Sequence, residues 1–347
     1  MREALAQRER LRYLRAAATK EHVYRLVVLI TGLAVAPPAW AQTLQVFHPA
    51  PGRGNFLSAH GSAIPTHRSW TAGLVLDFAD DLLVGANGAK LVDSRLTTHA
   101  MGTFGLWNRF EIGLVVPFAL LQHGIDAYQG ASLGDIRLVP KARLLWRGAA
   151  SRGFGLALIP ELSFPSGDEE KRNGEPGVTA APRVALDGVL FRWRGALNLG
   201  YRIRESSGGG PGEQDDEVIL AAALSRELPR GFEVLVEAYG HLGAAVDEGF
   251  SEVAAPFEVL LAARYVKLPW GLVASLGGGA GITRGTGASD VRILAALSYQ
   301  RSPRVPLPAR TKKIAPKKDI PKKPPAKKPE PPKPEPEEEE PNEWELE

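Results

Sequence analysis

Side chains able to do chemistry are scattered along this 347-residue chain rather than gathered. No cysteine is present, which removes thiolate nucleophiles, thiolate metal sites and disulfides together. His48, His60, His67, His99, His123 and His241 fall mostly in segments read as loops, and none stands at ligand spacing from another or from a carboxylate. His99 is read as the strand histidine, and no clear serine partner accompanies it. The glycine clusters Gly208–Gly210 and Gly277–Gly279 precede no helix whose N-terminus could cap a phosphate. The acidic run Asp168, Glu169, Glu170 is read as a solvated loop in preference to a calcium site. The pattern therefore yields no catalytic residue, no metal and no cofactor, and the chain is read as a non-enzyme. A formal charge of +3 averages a lysine-rich and a glutamate-rich block near the end, so no global basic field points to nucleic acid.

What remains is the chemistry of a polar surface, and its clearest stretch is Gly134–Leu145. Ile136, Leu138, Pro140, Ala142 and Leu144 share one parity, while Asp135, Arg137, Lys141 and Arg143 share the other. Strand side chains alternate between faces, so this stretch is a wall with oil on one side and water on the other. The same parity places Glu161, Arg183, Arg202, Arg204, Glu237 and Arg264 on polar faces of other segments. Asp135, Arg137, Lys141, Arg143, Glu161, Arg183, Arg202, Arg204, Glu237 and Arg264 are thus the candidate lumen-lining residues.

These residues need strands to hold them. Alternation predicts twelve, near 69–79, 95–106, 110–121, 134–145, 154–164, 178–187, 192–203, 216–226, 232–240, 256–265, 271–281 and 290–300. After the start of the chain no stretch offers 18 consecutive apolar residues, so strands must carry any membrane insertion. The fold class is all-β, a transmembrane antiparallel barrel of about twelve strands. Short connections, as at Trp107–Arg109 and Gly188–Phe191, alternate with longer Gly- and acid-rich ones. Trp70, Trp107, Trp146, Trp193 and Trp270 cluster at the short-turn end, as an interfacial aromatic girdle. Pro117, Pro140, Pro160 and Pro182 fit less well, since each removes a ladder donor from inside a strand.

The flanks are different objects. Residues 1–41 read as a secretory signal: basic residues precede an apolar run, Leu26–Ala36, and Ala39-Trp40-Ala41 supplies a cleavage pattern. Residues 42–68 show little alternation and are expected to form a periplasmic lead-in or a short plug in the lumen. The barrel is assigned to 69–300, ending in an apolar row from Val291 to Tyr299 that looks like the signal read by the barrel-assembly machinery. Residues 301–347 carry 13 prolines, paired lysines and a glutamate-rich end, a composition expected to stay disordered in the periplasm.

The phrases FEIGLVVPFALLQHG, SLGDIRLVPKARLLW, GFGLALIPELSFPSGD, GVTAAPRVALD and LNLGYRIR resemble the N-terminal β-barrel domain of OmpA-type outer-membrane proteins, related to barrel transporters of the phenol meta-pathway type. The resemblance spans roughly Phe56 to Tyr299 and implies a fold more than an activity. The residues after Tyr299 do not resemble the globular peptidoglycan-binding domain common in such proteins, and anchoring by that route is not expected. The expected setting is the outer membrane of a Gram-negative bacterium, with membrane lipid and the assembly machinery as partners. Two functions compete: a passive channel for small solutes, and an occluded barrel whose charged tail binds peptidoglycan or a periplasmic protein.

Overall fold

The computed structural model describes residues 43–52, 54–85, 87–149, 152–204, 216–244 and 254–301. The chain divides into two compact units, Met1–Pro303 and Arg304–Glu347, and the second lies outside the described residues, as does the signal segment.

Among the described residues twelve staves form one closed antiparallel sheet. They are β1 Trp70–Val84, β2 Lys90–Leu106, β3 Phe110–Gly124, a two-part β4 (Ser132–Leu133 and Ile136–Ala149), β5 Arg152–Phe164, β6 Thr179–Leu190, β7 Trp193–Arg202, β8 Glu217–Glu227, β9 Phe232–Gly243, β10 Phe257–Tyr265, β11 Leu272–Gly281 and β12 Arg292–Arg301. Each pairs with its chain neighbour, and β1 closes on β12 from Trp70↔Arg301 to Ala79↔Arg292. Closure leaves no unpaired edge, the condition for backbone to cross hydrocarbon. Burial alternates as the parity required: in β3 the outward row runs Phe110, Ile112, Leu114, while Glu111, Val115 and Ala119 are buried inside. Strands β1 and β2 extend further toward the long-loop end than alternation alone predicts, by pairing through Leu83↔Val92 and Val84↔Lys90 across bulges.

Each proline faces an interruption of the ladder on one side and stays paired on the other, as at His99↔Pro117, Ile112↔Pro140 and Pro160↔Pro182. Pairing of β3 with β4 stops at Val115↔Arg137 and resumes at Phe118↔Leu133, leaving Pro117 in the break, where its carbonyl accepts the Gly134 N–H at 2.9 Å. Between β4 and β5 the ladder is broken from Leu138↔Leu162 to Ala142↔Leu158, the interval that holds Pro140 and Pro160. Pro182 falls between the Ala180↔Ile203 bridge and the Arg183↔Gly200 pair. A residue without an N–H costs no bond where the ladder asks for none.

Candidate functional site

The described residues of segment 43–69, termed the plug, pack against inward-facing side chains of the barrel wall. Its apolar side chains Val46, Phe47 and Leu57 pack with wall residues Val75, Leu235 and Leu260. Gly54 and Gly61 cross closely: a Cβ on Gly61 would lie 2.9 Å from the Gly54 carbonyl oxygen, so this turn needs glycine. Between them Asn55–Gly61 forms a tight turn, with Phe56 N–H donating to Ala59 O at 3.0 Å and Gly61 N–H to Asn55 Oδ1 at 3.0 Å.

The wall grips this turn through inward side chains. Glu237 on β9 accepts the N–H groups of Leu57, Ser58 and Ala59 and the Ser58 hydroxyl. Such a set of donors compensates a buried carboxylate without a cation beside it. Asn198 on β7 clasps His60 from both sides of its peptide, accepting its N–H at 2.7 Å and donating to its carbonyl at 2.8 Å. Arg264 on β10 donates to the carbonyls of Asn55 and Phe56, at 3.3 and 3.1 Å. On β4, Lys141 reaches Asn55 Oδ1 at 2.8 Å, and Arg137 reaches the Pro49 carbonyl at 3.0 Å.

Other inward charges pair with one another. Arg137 and Arg183 share Glu161, each at 3.1 Å. Arg202 and Arg204 share Glu217, at 3.0 and 2.7 Å, and Arg204 also meets Glu175 at 3.4 Å. Arg264 meets Glu233 at 3.2 Å. Across the closing seam Arg292 on β12 contacts Asp77 of β1 and Glu258 of β10, each at 2.6 Å. Asp135, between the two parts of β4, accepts the N–H of Gly167 at 2.9 Å and of Glu175 at 2.8 Å, and so anchors the loop after β5. Arg143 stands apart from the other nine candidates: it is half-buried and donates to the Asn108 carbonyl at 2.7 Å, at the short-turn rim, beside a register shift between Arg143 and Leu145.

Two cavities flank the plug. One of about 290 Å³ lies toward the short-turn end, lined by Phe47, Leu57, Thr71, Val75, Glu233 and Ser275 among others. The other, about 20 Å³, lies among His48, Arg137, Glu161, Glu175 and Arg202, and has room for about one water. His60 in the plug is pushed well below the ordinary histidine range, first by burial and then by the nearby Lys141 and Arg183 cations. His48 is lowered likewise, by burial and by Arg137 and Arg202. Both are therefore neutral when the plug is seated. His99 lies in β2 with Nε2 at 4.0 Å from Asp77, and Gln45 of the plug reaches its Nδ1 at 3.4 Å. His123 and His241, expected in loops, belong to the ends of β3 and β9, because those strands run further than their alternation suggested.

On the outside Trp70, Trp107, Trp146, Trp193 and Trp270 are all exposed at the short-turn end. The plug's grip was missed in the sequence because Asn55, Ser58 and His60 act mainly through backbone groups. The glycines at 52, 54 and 61 were the available signal for a tight turn.

A closed wall of twelve antiparallel strands, apolar outside and charged inside, is a transmembrane β-barrel of the outer-membrane type. Residues 71–252 match the family described as "Putative MetA-pathway of phenol degradation", and the chain belongs to that family. No curated protein matches it. Among solved structures it is similar to an outer-membrane channel from Pseudomonas putida F1, with a TM-score of 0.54 and 14% identity, covering 71% of this chain and 100% of that one. The NanC porin covers 65% of this chain and 97% of its own at 8% identity and a TM-score of 0.44. The KdgM porin covers 66% and 98% at 10% identity and a TM-score of 0.40.

Proposed function

We propose that the chain is a passive channel for small solutes in the outer membrane, with segment 43–69 as the element that sets how much of the lumen is open. One observation carries this reading: the segment inside the wall is joined to it by side-chain hydrogen bonds, beside a cavity of about 290 Å³. A wall of twelve strands is wider than the eight-stranded barrels that side chains nearly fill. The paired charges of Glu161, Glu217 and Glu233 with their arginines keep the inner face polar and close to balanced, so no strong ion selectivity is assigned. Catalysis has no part in the proposal. Kinship with OmpA-type barrel domains enters at the level of strand and turn patterns. The tethering alternative draws on residues 301–347, which from residue 302 onward lie outside the described residues.

Swelling of liposomes loaded with the full mature chain tests the reading. Uptake should fall steeply with solute size, small neutral solutes entering and larger sugars not. Liposomes that do not swell with any solute, although the barrel is folded, would overturn it.

A further inference from the structure

The outer wall carries a trough made by missing side chains. Gly188 of β6 and Gly195 of β7 are direct cross-strand partners on the outward face. Phe154 of β5 pairs with Gly188, and Leu224 of β8 pairs with Gly195, so two large exposed side chains bank the glycine pair. The resulting depression is about 1000 Å³ and almost wholly apolar. The fold does not require glycine at either position. Neither has a positive φ. An added Cβ would meet Gly153 O at 3.5 Å at position 188, and Ala223 O at 3.6 Å and Leu224 Cδ1 at 3.8 Å at position 195, all ordinary contacts. What the glycines supply is space.

Two residues nearer the short-turn end, about 7 Å along the strands, the same wall turns cationic. Trp193 pairs with Arg226, whose guanidinium lies over the indole at 5.0 Å. Arg152 lies over the Phe191 ring at 4.9 Å, and Arg192 is exposed between them. The stacking holds the guanidiniums at the level of the aromatic girdle, where lipid headgroups lie. Arg68, Arg109, Arg147, Arg230 and Lys267 are also exposed at this end, against a single exposed carboxylate among the described residues, Glu227.

We propose that the Gly188–Gly195 trough and the Arg152, Arg192 and Arg226 rim form a binding site for an anionic phospholipid of the leaflet at the short-turn end. An acyl chain occupies the trough, and the phosphate is shared by the arginines, whose planar forks suit its oxygens. The site rests on the membrane reading above. It commits to a lipid because the cationic rim continues directly into an apolar slot, which a free anion would not use.

The test is native mass spectrometry of the full mature chain in a zwitterionic detergent, titrated with phosphatidylglycerol or phosphatidylcholine of equal acyl length. Preferential retention of phosphatidylglycerol is expected, weakened about fivefold for each of R152Q and R226Q. G188L and G195L should weaken both lipids alike, because they fill the slot and leave the rim. Equal retention of the two lipids by the native chain would overturn the site, as would displacement of phosphatidylglycerol by millimolar inorganic phosphate. A heat-modifiable gel shift verifies that each variant is folded, and R226Q stands in for R152Q, or G195L for G188L, if one of them does not fold. A chain that stays soluble and folded without detergent would instead overturn the membrane reading.

Discussion

Glu237 holds Ser58 twice: its Oε2 accepts the Ser58 N–H at 2.9 Å and the Ser58 hydroxyl at 2.8 Å, across 179 residues of sequence. One wall carboxylate thereby fixes the tip of the plug, and Leu57 and Ala59 donate to the same group. Glu237→Gln replaces one accepting oxygen by a donor facing donors. The seated plug should lose about 1.5–3 kcal/mol, the range for hydrogen bonds to a charged group. Hydrogen exchange of the 57–59 amides should then accelerate about tenfold or more, while the β9 amides flanking position 237 keep their protection. Unchanged exchange at 57–59 would mean that packing alone seats the plug.

Acid should loosen the plug. His60 and His48 are held below their ordinary range when seated, so the displaced plug, with hydrated histidines, binds more protons. A base with a depressed pKa contributes stability above its ordinary value, near 6.5, and loses it progressively as pH falls from there toward the depressed value. Lys141, Arg183 and Arg137 face His60, and Glu161 opposes them. Open probability should therefore rise between pH 7 and pH 5, with a shallower rise in His60→Asn. A flat pH profile in the native chain would contradict this.

Arg292 ties the closing seam by facing Asp77 from β1 and Glu258 from β10. Arg292→Met strands two buried carboxylates, a change that typically costs about 3–5 kcal/mol. Urea unfolding in lipid vesicles should show that loss. Arg292→Met with Asp77→Asn should recover part of it, and no recovery would argue against direct coupling.

The girdle supplies a depth gauge. Trp107 and Trp270 are exposed at two separate short turns. Single-tryptophan variants retaining either should be quenched more by lipids brominated near the headgroup than by lipids brominated at the chain end. Stronger deep quenching would move the short-turn rim into the hydrocarbon.

Strand positions were legible because each stave separates a lipid face from a charged face, and that contrast survives in single residues such as Ile136 beside Arg137. Inward placement of Glu161, Arg183 and Arg264 followed from the same parity. Parity says nothing of partners: that Arg137 and Arg183 share Glu161 depends on strand stagger, which no local pattern encodes. Arg143 lies where a register shift bends the rule. The plug was the least legible part, since its contacts are backbone N–H and C=O groups, which every residue carries.

Single-channel conductance of the full chain, compared with the same chain lacking residues 43–66, tests the channel reading most directly. Small, discrete steps from the native chain and several-fold larger ones after deletion are expected. Equal conductance from two folded barrels, or silence from both, would contradict the assignment of the plug as the element that sets the opening.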